Sequence, residues 1–101
     1  MINAIALMHE LQSDIAQWAR NYESAHEYNG EHPNVTMAAI RGGAPWRLSR
    51  NPYDCSLYLD VRTVPGQTVD DVKRDLRAVL RAFGGRKGIA EPTLHLYVTD
   101  P

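Results

Sequence analysis

One cysteine in 101 residues rules out an internal disulfide, so the fold has to rest on a packed core. Cys55 falls at an inward position of an alternating segment, which suits a buried structural thiol; a nucleophile would need a nearby base to form thiolate. An excess of one charge is also missing. With 11 Lys plus Arg against 12 Asp plus Glu, the net charge of -1 gives no electrostatic reason to expect nucleic acid or an anionic membrane as partner. No apolar run approaches the roughly 20 residues needed to span a bilayer. The segment from Met1 to Met8 is apolar but has no basic leader, and Glu10 interrupts it early, so no signal peptide is read and a cytoplasmic location is expected.

Catalytic signatures are equally sparse. The pairs Gly42-Gly43 and Gly84-Gly85 have the spacing of neither a dinucleotide fingerprint nor a phosphate loop. Ser49 and Ser56 have no positioned base. His9, His26, His32 and His95 are scattered without ligand spacing, whereas a dinuclear hydrolytic centre needs roughly five or six His, Asp and Glu ligands on a rigid scaffold. No metal site is therefore expected in this chain.

What the sequence does contain is regular periodicity over a length that fits one domain, residues 1–101. Ile5, Met8, Leu11, Ile15, Trp18, Tyr22 and Ala25 recur in steps of three or four, which predicts a long amphipathic helix ending before Gly30. Pro33 excludes its continuation through the connection from Glu31 to Asn34. Val35 to Arg41 reads as a strand that is apolar or small on both faces, Val35, Met37 and Ala39 on one and Ala38 and Ile40 on the other. Double-sided burial or a partner subunit would explain that pattern. Cys55 to Arg62 alternates cleanly, and Asp60 and Arg62 share a face where they can pair with each other or across to a neighbouring strand. Pro65-Gly66 marks a turn, Thr68 stands as N-cap, and Asp70 and Asp71 bring negative charge to the first turn of a second helix. Val69, Val72, Leu76, Val79, Leu80 and Phe83 form its apolar face. Lys73, Arg74, Arg77 and Arg81 read as its solvated face, and Gly84-Gly85 as its stop. Thr93 to Thr99 alternates as a last strand. The order helix, strand, strand, helix, strand predicts an α+β two-layer sandwich, with two helices on one face of an antiparallel sheet.

Between the first two strands lies a loop rich in glycine, proline and arginine. Its Gly42-Gly43, Pro45, Arg47, Ser49-Arg50 and Pro52, followed by Asp60-Val61-Arg62 and Pro65-Gly66, resemble the dimerisation or lid domain of the zinc-dependent amidohydrolases and peptidases. That family includes acetylornithine deacetylase, succinyl-diaminopimelate desuccinylase, aminoacylase and glutamate carboxypeptidases. The resemblance extends from Asn3-Ala4-Ile5, like the start of the domain's first helix, to Leu94 through Thr99, like its closing strand.

The resemblance implies a ferredoxin-like fold, but without the family's first strand, which would precede the first helix. The gap is expected to close by parallel pairing of Cys55–Arg62 with Thr93–Thr99, the alternative being a strand donated by another chain. It further implies a non-catalytic domain of a hydrolase: zinc belongs to the family's separate catalytic domain, and no cofactor is expected here. The implied partners are that catalytic domain and a second copy of the chain, paired through the Val35–Arg41 edge strand and the first helix. The lid of the family faces the active-site cleft and binds substrate through an asparagine where this chain has Arg47. Arg47 and Arg50, on a segment stiffened by Pro45 and Pro52, can grip a carboxylate in a bidentate manner, with Trp46 beside them and Gly42 and Gly43 shaping the loop. Two other readings remain: a free-standing ferredoxin-like module that binds a small molecule through Arg47, Arg50 and Trp46, and an independent enzyme.

Overall fold

Asn3 opens α1 (Ala4–Ala25) by accepting a 3.0 Å bond from the amide of Ala6 on its Oδ1. The computed structural model describes residues 3–46, 48 and 52–94. Leu11, Ile15, Ala19 and Tyr22 are the buried stripe of α1, while Ile5, at the head of the same periodicity, stays 42% exposed. Beyond α1 the chain reverses at Asn29-Gly30, both at positive φ, with mutual backbone bonds of 2.8 and 2.9 Å between Tyr28 and Glu31. Such a two-residue reversal needs left-handed conformations that Asn and Gly adopt at low cost. Glu31 is therefore part of a hairpin bridge, not simply the beginning of a connection.

β1 (Asn34–Gly42) and β2 (Cys55–Arg62) pair antiparallel, and the register breaks once: Met37 faces Leu59 while Ala39 faces Tyr58, leaving Ala38 as an extra residue. This bulge corrects the expectation of a strand apolar on both faces. Strict alternation put Ile40 opposite Val35 and Met37; one inserted residue inverts the parity, so Val35, Met37, Ile40 and Gly42 fall opposite Val61, Leu59, Leu57 and Cys55 on the helix-facing side. Thr36, Ala39 and Arg41 share the other face with Asp60, Tyr58 and Ser56.

α2 (Val69–Lys87) begins with a reciprocal cap. The Thr68 hydroxyl accepts from the Asp71 amide, and the Asp71 carboxylate accepts from the Thr68 amide, both at 3.1 Å. Asp70 and Asp71 at this end, and Arg86 and Lys87 at the other, complement the helix dipole. The helix does not stop at Gly84-Gly85 as the sequence suggests. It runs on to Lys87 and ends at Gly88, the left-handed cap at φ 68°, with the Gly88 amide donating to the Gly84 carbonyl. Gly84 instead answers a close approach, for a Cβ there would sit 3.2 Å from the Glu91 Cα and 3.2 Å from the Ile89 carbonyl oxygen.

The helices cover one face of the sheet. Leu11 and Ile15 pack with Leu80 and Phe83 over Leu57 and Leu59, and Tyr22 packs with Val72 and Leu76 over Val35, Leu59 and Val61. Leu59 and Leu94 touch both clusters, so the chain after α2 returns to the core beside the centre of β2. The predicted strand Thr93–Thr99 and its parallel pairing lie almost wholly outside the described residues. Ion pairs Arg86–Asp14, at 2.7 Å, and Lys87–Glu10 join the far end of α2 to α1.

Candidate association edge and lid loop

The loop that leaves β1 is fixed at its two ends. Gly43 turns the chain at φ 78°, and a Cβ on it would meet the Ile5 Cδ1 at 3.2 Å, so both conformation and space favour glycine. At the far end the Pro52 carbonyl accepts a 3.0 Å bond from the Ala4 amide, tying the loop to the first turn of α1. Gly42, expected in the loop, is instead the last residue of β1. It lies opposite Cys55, whose Sγ would be 2.9 Å from an added Cβ. Between these anchors Trp46 and Leu48 are 80% and 88% exposed, and Tyr53, just past Pro52, is 74% exposed. Arg47 and Arg50, the two guanidinium groups assigned to a carboxylate, lie outside the described residues.

Cys55 is half-buried on the helix-facing side of β2. Burial, reinforced by the charge of Asp54, raises its thiol pKa above the ordinary value, against a smaller lowering by a backbone bond at Ser56. The upward direction disfavours thiolate further, which suits a packing residue and not a nucleophile. On the opposite sheet face Arg62 Nε reaches Asp60 Oδ2 at 3.4 Å, so the two pair within their own strand. Along α2 the basic stripe lines a shallow groove with Asp70. Two of its cations are partnered locally, Arg74 by Asp71 and Asp75 and Arg81 by Glu91, which suits a solvated face. Among the described residues no three His, Cys, Asp or Glu side chains converge to hold a metal ion. Nor is any helix among them long and apolar enough to cross a membrane.

The other distinctive feature is the edge of β1. Among the described residues β1 pairs only with β2, and no strand pairs with its other side. On the helix-facing surface beside that side, Met37 is 37% and Ile40 50% exposed, with Ile5 of α1 close to the same end. One residue that sequence reasoning missed sits here. Glu23 of α1 accepts a 2.9 Å hydrogen bond from the Val35 amide on its Oε2. Its place in the helix, next to buried Tyr22, gave no signal of this; only the antiparallel run of α1 over β1 brings the carboxylate to the strand.

Comparison with known proteins gives this geometry a context. Curated acetylornithine deacetylases from Salmonella arizonae, Salmonella newport and Salmonella agona are each 29% identical to this chain over 97 residues, covering 89% of it. The chain spans about a quarter of the length of these relatives, 25% in each case. Residues 1–88 match the family described as the peptidase dimerisation domain, a stretch that takes in the tied loop, the bulged edge strand and both helices; the chain belongs to that family.

Proposed function

We propose that this chain, folding as a single domain over residues 1–101, is the non-catalytic dimerisation and lid domain of a cytoplasmic, zinc-dependent amidohydrolase or peptidase. The parent would cleave N-acyl amino acid or peptide amide bonds, the class to which the name of the acetylornithine deacetylase relatives points. The domain would join a second copy through the Val35–Arg41 edge and α1, and would sit against the parent's catalytic domain, which holds the metal. The loop would close over substrate, with Arg47 and Arg50 gripping a carboxylate and Trp46 flanking them.

The observation that carries this reading is the half-exposed Ile40 on a strand with one side unpaired, within a family described by its role in dimerisation. An isoleucine presented at a strand edge is an aggregation hazard unless another chain covers it, and a two-fold mate covers it symmetrically. Sedimentation velocity at micromolar concentration tests the association, since a strict monomer removes it. The lid role is tested separately by the reading frame on either side of this segment: His-x-Asp and a Glu-Glu pair upstream support it, and flanking stop codons overturn it.

A further inference from the structure

The β1 edge is not uniformly open. Val35 gives its N–H to Glu23, so it does not give it to β2, and Val35↔Val61 is a pair of the kind that exchanges no hydrogen bonds. Antiparallel alternation then turns the backbone groups of Thr36 toward β2 and those of Met37 away from it. The bulge places Ala38 and Ala39 together against Tyr58, so the outward set resumes at Ile40 and Gly42. The outward groups of the edge are thus those of Val35, Met37, Ile40 and Gly42, and the N–H of the first is already occupied by a carboxylate.

We infer that Glu23 closes the N-terminal end of the β1 edge, so that a second copy of this chain adds antiparallel only along Met37–Gly42, with the two-fold axis passing at Ile40. This rests on the dimer reading and specifies its register. Centring on Ile40 pairs Ile40 with its own counterpart and sets each Met37 beside the other copy's Gly42. All of the outward groups from Met37 to Gly42 are then used and Val35 is left out. A register centred on Met37 would set Val35 opposite the other copy's Ile40 and require the amide that Glu23 holds. The side chains agree with the first arrangement, because methionine lies beside a residue without a side chain. The exposed apolar atoms of Ile5, Met37 and Ile40 also gather at this end, not near Val35.

Charge exchange at the two-fold tests the register. Ile40→Asp alone and Ile40→Lys alone should each weaken self-association tenfold or more, since like charges face one another, while an equimolar mixture of the two should recover a heterodimer. Circular dichroism of each variant checks that the half-exposed site still permits folding. Residue-resolved hydrogen exchange gives an independent measurement on the unmodified chain. The amides of Met37, Ile40 and Gly42 should gain protection as concentration rises, while Val35 should be protected at all concentrations and lose that protection in Glu23→Ala. A wild-type monomer would remove the dimer reading itself. A wild-type dimer without rescue in the mixture, or with Val35 protection that follows concentration, would overturn the register alone.

Discussion

Gly84 lies in direct contact with Glu91, close enough that a Cβ on the glycine would come within 3.2 Å of the Glu91 Cα. A Cβ on its neighbour Gly85 would meet nothing within 4 Å outside the helix's own backbone. Two adjacent glycines in one helix interior should therefore respond in opposite senses to the same substitution. Gly84→Ala pushes the chain after α2 off the helix and should cost about 1–3 kcal/mol, the usual range for overpacking. Gly85→Ala adds helix propensity in open space and should stabilise by about 0.5–1 kcal/mol. Urea midpoints at unchanged m-value provide the comparison, and equal effects at the two sites would refute the packing assignment.

The reciprocal cap of α2 carries a pH dependence. Hydrogen bonding to the Thr68 amide, then to the Thr68 side chain, with the Arg74 charge assisting, lowers the Asp71 pKa below the ordinary carboxylate value against an opposing desolvation. A carboxyl with a depressed folded-state pKa contributes stability that is present above the unfolded value and disappears as pH falls through the folded one. Thermal midpoints should drop more steeply below pH 4 for the native chain than for Asp71→Asn, and Thr68→Ala should flatten the same limb. Parallel acid limbs in all three proteins would show that the cap does not titrate.

The apolar face of α2 was legible from spacing, but its depth was not. Val69 and Phe83 belong to one periodic set, yet Val69 is 51% exposed at the first turn and Phe83 1% exposed between the helices. Phe83→Ala should cost about 3–5 kcal/mol and Val69→Ala less than about 0.5 kcal/mol. Denaturant unfolding of the two variants measures the difference, and a small loss at Phe83 would contradict the core described.

Such contrasts mark what a one-dimensional pattern can and cannot hold. Cys55–Arg62 was legible to the residue because strict alternation makes each side chain report its face. Thr68 as the cap of α2 was legible because hydroxyl, acidic turn and apolar stripe all agreed. Ile40 was misplaced because a bulge adds one residue without any compositional mark, and parity arguments fail past it. Gly84 was misread as a stop because glycine serves close approach and chain reversal equally well, and only the return of Glu91 separates the two. The bond from Val35 to Glu23 spans 12 residues and depends on how α1 lies across β1, which spacing along the chain does not encode. Within the loop the glycines and prolines announced a turn, but not that Pro52 would be tied to Ala4.

Tyr22 offers the last test, because it buries a polar atom without a visible benefit. The residue is 2% exposed and stacks on Trp18 with ring centroids 5.1 Å apart, yet its hydroxyl has no hydrogen-bond partner among the described residues. A buried donor that has given up water for nothing costs free energy, so deleting it should cost none. Tyr22→Phe is expected to unfold at the same or a higher denaturant concentration than the native chain, while Tyr22→Ala, which loses the ring as well, should lose about 3–5 kcal/mol. Burial, then the charges of Asp75 and Asp71, raise the phenol pKa above 10.0. A raised folded-state value means that the stability it contributes is intact below the unfolded pKa and lost as pH rises through the folded one. Native protein should therefore weaken above pH 10 by a component that Tyr22→Phe lacks, observable as a smaller slope of stability against pH in the variant. A loss of more than about 1 kcal/mol in Tyr22→Phe at neutral pH would mean that the hydroxyl does find a partner.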